Sequence, residues 1–115
     1  MRSDYYNDRF LRTALIATAY RLKDTVPDFD DSQFEGDDIA FPHLRWMMQT
    51  CIDNIDAYPT DKLSRWIGYV QGVLICKGVT TTNDERNCSR ALFHTAYESM
   101  GISIPPTIER PINNA

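Results

Sequence analysis

Two arginine–tryptophan dipeptides contain the residues of this sequence best suited to binding. Arg45-Trp46 and Arg65-Trp66 combine a large contact area with directional hydrogen-bond donors, and both residue types are enriched at interface centres. Further cations and one tyrosine lie at helical spacing around or after the second pair. The predicted binding set is Lys62, Arg65, Trp66, Tyr69, Arg86, Arg90, Arg45 and Trp46. Alternatively, both tryptophans lie in the core, and the arginines are solvated caps or pair with the acidic loop, residues 24–40.

Carboxylates and histidines are the remaining candidates for chemistry, and neither fits a known motif. Residues 24–40, the acidic loop, hold seven of the 16 acidic residues, including Asp28, Asp30, Asp31, Glu35, Asp37 and Asp38. An EF-hand counted from Asp28 needs glycine and glutamate where Gln33 and Ile39 stand. His43 and His94 lack zinc-site spacing, and nucleophile-elbow, P-loop and dinucleotide-binding motifs are missing. We expect no metal, no cofactor and no enzymatic activity.

A stripe of small residues marks the most strongly helical segment, residues 63–77. Ser64, Gly68 and Gly72 recur every four residues, so one side of this helix has almost no side chains. Each glycine costs a helix about 1 kcal/mol relative to alanine. We expect something to pack on this stripe: a neighbouring helix of the same fold, a partner protein or a flat ligand.

Length and composition predict one globular domain over residues 1–115. The net charge of −4 disfavours direct nucleic-acid binding by the whole surface. Three cysteines without CxxC spacing indicate buried free thiols in a reducing compartment. The polar N-terminus and the lack of a long apolar run predict neither a signal peptide nor a membrane span. We therefore expect a cytoplasmic protein.

Apolar periodicity predicts an all-α bundle of about four helices that positions these groups. The first helix spans residues 4–23 and the second begins near Pro42 and continues to Asp56. Thr60 is the predicted N-cap of the third helix and Gly78 its C′ residue. Thr82 and Glu85 predict a capping box for a fourth helix that ends at Gly101. The acidic loop follows the first helix, with a short turn near residues 32–34, and residues 102–115 form an extended proline-rich tail.

Residues 59–97 resemble a group of small, mostly uncharacterised bacteriophage-encoded helical proteins. The resemblance consists of a PxxKxxRWxGxxQGxL block and an ending similar to RxxFHxAY. The block is formed here by Pro59, Lys62, Arg65, Trp66, Gly68, Gln71, Gly72 and Leu74, and the ending by Arg90, Leu92, Phe93, His94, Ala96 and Tyr97. The resemblance implies a phage origin, and therefore the cytoplasm of a host cell, more directly than it implies an activity.

Three functions follow from that resemblance and from the residues. In the first, the protein binds and inhibits a host or defence-system protein, as an anti-CRISPR-like antagonist, through its aromatic and arginine residues or its acidic loop. In the second, it sequesters a small nucleotide immune signal, with Lys62, Arg65, Arg86 and Arg90 on phosphates and an aromatic ring on the base. In the third, it is a structural or assembly factor that oligomerises through the glycine stripe.

Overall fold

The computed structural model describes residues 3–34 and 36–103, with side chains from residue 8 onward. Four α-helices follow one another: α1 (Ser3–Thr25), α2 (Phe41–Asp53), α3 (Thr60–Cys76) and α4 (Thr82–Ser99). A 3-10 helix, Asp37–Ile39, precedes α2. The described ranges contain no strand, so the predicted all-α fold is confirmed. The predicted tail lies outside the described residues beyond Ser103.

Helix α1 is central, because it packs against each of the other three helices. Its fully buried side chains recur at helical spacing, as expected for a helix with one apolar face. α2 and α3 pack against α1 and against each other, whereas α4 packs mainly against α1. The largest buried apolar side chains of this core are Leu15, Leu22, Leu44, Met48, Leu63, Val70 and Leu74.

Both helix ends predicted at a glycine are confirmed. Gly78 and Gly101 have φ angles of 78° and 74°, in the left-handed region that favours glycine. The backbone N–H of Val79 bonds to the carbonyl of Leu74, and that of Ile102 bonds to Tyr97. Each end is therefore a Schellman motif, which satisfies carbonyls that the helix leaves free.

Two predicted helix starts and one predicted end are wrong. Pro59, not Thr60, caps α3, and the Thr60 hydroxyl instead donates to Asp8 of α1. Thr81, not Thr82, caps α4 by accepting the Asp84 N–H at 3.1 Å. Helix α2 ends at Asp53 rather than Asp56. In the first two cases, a contact with another helix or a neighbouring hydroxyl replaces the cap that local sequence favours.

The acidic loop is only partly the solvated segment that its charge predicts. The predicted turn is confirmed at residues 32–34, where the Phe34 N–H bonds to the Asp31 carbonyl at 2.9 Å. Asp31 itself is buried, which corrects the expectation that the whole segment is too charged for the core. Its carboxylate lies 2.5 Å from Lys77 Nζ and accepts the Phe41 N–H at 2.7 Å. These two contacts fix the loop between α2 and the end of α3.

The cysteines differ in environment more than the sequence predicts. All three thiols are free, but only Cys51 is buried, whereas Cys88 is half-buried and Cys76 is exposed. Burial raises the pKa of Cys51 to about 11, so this thiol is neutral at pH 7. Separately, none of the four helices as described is long and apolar enough to cross a membrane.

Candidate functional site

A row of four aromatic rings crosses the surface formed by α2 and α3. From one end to the other its members are His43, Trp46, Trp66 and Tyr58, with successive ring centroids 5.4, 5.8 and 6.1 Å apart. Lys62 Nζ lies 3.9 Å from the Tyr58 ring centroid and 5.3 Å from that of Trp66. We call this row, together with Lys62, Arg65 and Tyr69, the aromatic patch.

Exposure distinguishes the aromatic patch from an ordinary core cluster. Trp46 keeps 54% and Tyr69 39% of their surface accessible, while Trp66 is half-buried and packs against the core. The interpretation in which both tryptophans are core residues is therefore wrong for Trp46. Trp46 follows the buried Leu44 by two residues, so it points to the opposite side of α2 from the core.

An open groove of about 370 Å³ lies within the aromatic patch. His43, Met47, Arg65, Trp66 and Tyr69 line it, so it offers one apolar side chain, three aromatic rings and one guanidinium. Arg65 is exposed and reaches Asp61 at 3.5 Å, the upper limit of a hydrogen bond. A contact of that length between exposed groups holds the guanidinium weakly and leaves it available to a ligand.

The glycine stripe lies beside the aromatic patch and faces away from the core. Ser64, Gly68 and Gly72 are exposed, and among the described residues nothing lies within 4 Å of a Cβ built on either glycine. Packing against a neighbouring helix of the same chain, the first expectation for this stripe, is therefore wrong. A partner protein or a flat ligand remains the prediction.

The predicted binding set does not form one surface. Lys62, Arg65, Trp66, Tyr69 and Trp46 converge on the aromatic patch. Arg45 instead donates to the Pro27 carbonyl and anchors the acidic loop.

Arg86 and Arg90 lie on α4, which meets α3 through Gln71 rather than through the aromatic patch. Gln71 is two residues from Tyr69 and so lies on the opposite side of α3. The two α4 arginines therefore do not share the groove with Arg65.

A buried polar cluster around Glu85 was missed by the sequence reasoning. Glu85 is only 5% exposed and pairs with Arg21 through two hydrogen bonds of 2.7 and 3.1 Å. Thr80 and Gln71 donate to the same carboxylate at 2.9 and 3.1 Å. Glu85 lies in the first turn of α4, where the local sequence predicts a cap, and no local signal reveals a partner 64 residues away.

The Glu85 cluster is built to hold an ionised carboxylate. Burial has the largest effect and raises the pKa of Glu85, but hydrogen bonds from three side chains and the Arg21 charge outweigh it. The pKa is held below its ordinary value. Because the carboxylate's oxygens are occupied by these partners, the cluster joins α1, α3 and α4 rather than forming an open site.

A larger groove of about 510 Å³ lies between α1 and the segment after α2. Two of its charged groups, Asp8 and Arg12, are already engaged: Arg12 donates to Asp8 and to the carbonyls of Ile55 and Tyr58. Burial, the largest influence, raises the Asp8 pKa, but hydrogen bonds from Thr60 and Arg12 lower it below its usual value. Since these charges serve the fold, we place the candidate site at the smaller aromatic groove.

The described residues offer no group of three or more His, Cys, Asp or Glu side chains arranged to hold a metal ion. Comparison with protein-family models, with curated proteins and with solved structures finds no match to this chain.

Proposed function

We propose that the chain is a non-enzymatic binding protein that docks a partner protein on its aromatic patch. In keeping with the resemblance to phage proteins, we propose a host or defence-system protein as that partner and inhibition as the outcome. The observation that carries this proposal is Trp46, a large aromatic side chain left 54% exposed within a row of rings.

Exposed tryptophan is costly to keep in water, and the patch has the composition of an interface centre. Fully burying such a ring removes roughly 150–250 Å² from water, at about 25 cal/mol per Å². Arg65 and Lys62 flank the rings and add directional donors at the rim. Tryptophan, tyrosine and arginine are the residue types enriched among the hot spots of protein–protein interfaces.

A small nucleotide is the second candidate ligand, and one observation favours it. Arg65 lines the groove together with Trp66 and Tyr69, a combination of guanidinium and aromatic rings that suits a phosphate beside a stacked base. Of the four cations proposed for phosphates, Arg65 lines this groove, whereas Lys62, Arg86 and Arg90 do not. The reduced cation set makes the protein partner the better supported proposal.

The test is affinity purification from bacterial lysate followed by native mass spectrometry, with wild type compared with Trp46→Ala. Tyr20→Ala is the matched control, because Tyr20 is 50% exposed on α1 and outside the patch. We expect one host protein to be retained by wild type and by Tyr20→Ala and lost with Trp46→Ala. Equal retention by all three proteins would contradict the proposal. A co-purifying nucleotide-sized mass lost with Arg65→Ala would favour the second candidate.

A further inference from the structure

An exposed face of α3 runs from Ser64 to Cys76, and the acidic loop lies along its edge at Tyr69. Arg65, Gly68, Tyr69, Gly72 and Cys76 on this face are all exposed. Their spacing of three, four and seven residues places them on one side of the helix. A face of this length, with exposed rings beside it, is an interaction surface that the single chain leaves open.

Charge changes sign along this face. Lys62 and Arg65 lie in the N-terminal half of α3. The acidic loop lies against the C-terminal half, because the Tyr69 hydroxyl donates to the Asp38 carbonyl at 2.8 Å and Lys77 donates to Ile39 at 2.6 Å. The side chains of Asp37 and Asp38 are exposed there. The N-terminal end of the face therefore carries two cations, Lys62 and Arg65, and one carboxylate, Asp61, whereas the other end carries the exposed Asp37 and Asp38.

A surface with opposite charges at its two ends is complementary to itself when a copy is turned end to end. In a two-fold pair, residue i of one copy meets residue j of the other and j meets i. Antiparallel α3 helices would place Arg65 of each copy opposite Asp37 and Asp38 of the other, twice in one interface.

We propose that two copies of this chain pair antiparallel along α3, so that the aromatic patch of each covers the acidic loop of the other. Charge complementarity selects a second copy as the occupant. The centre of such a pair falls at Gly68 and Gly72, where the lack of side chains lets two helix backbones approach closely.

Self-pairing is independent of the proposed partner protein, although both use the aromatic patch. If both occur, the partner must compete with the second copy. The test of self-pairing contains only this chain, so its failure would leave the proposed function standing.

The test is sedimentation velocity of the full chain over a range of concentrations, at low and at high salt. Two charge reversals probe the two ends: Arg65→Glu on the patch and Asp38→Lys on the loop. We expect wild type to dimerise and each variant alone to dimerise at least about tenfold more weakly, because like charges then meet. An equimolar mixture of the two variants should regain a dimer, since each copy then offers the charge that the other lacks.

Several results would overturn the proposal. They are a wild type that stays monomeric at hundreds of micromolar, a dimer insensitive to both reversals, and a mixture that does not recover. Circular dichroism and thermal unfolding check that each variant folds. If a reversal variant fails to fold, Gly72→Leu replaces it: the side chain has open space in the single chain, so folding should persist while the dimer is lost. A dimer unchanged by Gly72→Leu would also overturn the proposal.

Discussion

The Glu85 cluster and the aromatic patch lie on opposite sides of α3 and are built in contrasting ways. The Glu85 carboxylate is buried, Arg21 beside it is half-buried, and each carboxylate oxygen has a donor. In the aromatic patch, Trp46 and Tyr69 are exposed to water, and Arg65 beside them makes only a long, exposed contact with Asp61. The difference indicates that the first region holds the helices together and the second is available for binding.

The strongest test of this comparison is Arg21→Met. Removing the guanidinium leaves Glu85 buried without its counter-charge, which should lower the free energy of unfolding by about 3 kcal/mol. Urea denaturation followed by circular dichroism measures the change. A loss below about 1 kcal/mol would show that Glu85 does not depend on this pair, and would remove the contrast with the aromatic patch.

Acid should act on the buried carboxylates and not on the patch. For Asp31, burial is the largest effect and raises the pKa, but the hydrogen bond and charge of Lys77 and the Phe41 N–H hold it below its ordinary value. The pKa values of Glu85 and Asp8 are also held below their ordinary values. The unfolded chain therefore binds more protons in acid. These groups contribute their full stability at a pH above their ordinary pKa values of about 4. That contribution is lost as the pH falls through the lower pKa values that the groups have in the folded protein.

Melting temperatures measured between pH 7 and pH 2 test this dependence. We expect a fall that begins near pH 4 in wild type and a shallower fall in Arg21→Met, which has already lost the Glu85 pair. Stability that rises on acidification would contradict the assignment of these carboxylates as ionised and paired.

Glycine-to-alanine substitutions separate the exposed stripe from the helix end. Gly68→Ala and Gly72→Ala each enter open space within a helix and should raise the free energy of unfolding by about 1 kcal/mol. Gly78→Ala is the matched control, because its φ of 78° strains any side chain and the substitution should destabilise. Thermal unfolding at low protein concentration measures all three. Destabilisation by Gly72→Ala under these conditions would show that the stripe is covered within the single chain.

Arg65→Ala should have the smallest effect on folding. Its contact with Asp61 is exposed and long, so the free energy of unfolding should change by no more than about 0.5 kcal/mol. Loss of partner binding with an unchanged melting temperature is the result expected of a binding residue. A large loss of stability would instead show that Arg65 serves the fold. The aromatic patch would then differ less from the Glu85 cluster.

Helix positions could be predicted from the sequence because their causes are local. Apolar periodicity, Pro42 and the glycines at 78 and 101 act within one or two turns, and the observed helices follow them closely. The errors at the starts of α3 and α4 have tertiary causes in part. Thr60 and Glu85 were both assigned to local capping, and both are used by α1 instead, through Asp8 and Arg21.

The candidate site could be predicted only in its residue types. Lys62, Arg65, Trp66 and Tyr69 lie on one helix, so their proximity follows from helical spacing. Trp46 joins them only because α2 packs beside α3, and the α4 arginines are excluded only because α4 packs mainly against α1. How α2 and α4 pack against the other helices depends on residues far apart in the chain, and local sequence patterns do not reveal those contacts.

By itself, then, the sequence determined the helices, their glycine ends and the amphipathic faces that form the core, since each depends on neighbours a few residues away. Tertiary structure alone decided that Asp31 is buried against Lys77, that Glu85 pairs with Arg21, and that Trp46 and the glycine stripe face solvent. The two ion pairs join residues 46 and 64 positions apart. At that separation, the free energy of each contact depends on how whole helices pack, which local propensity does not encode.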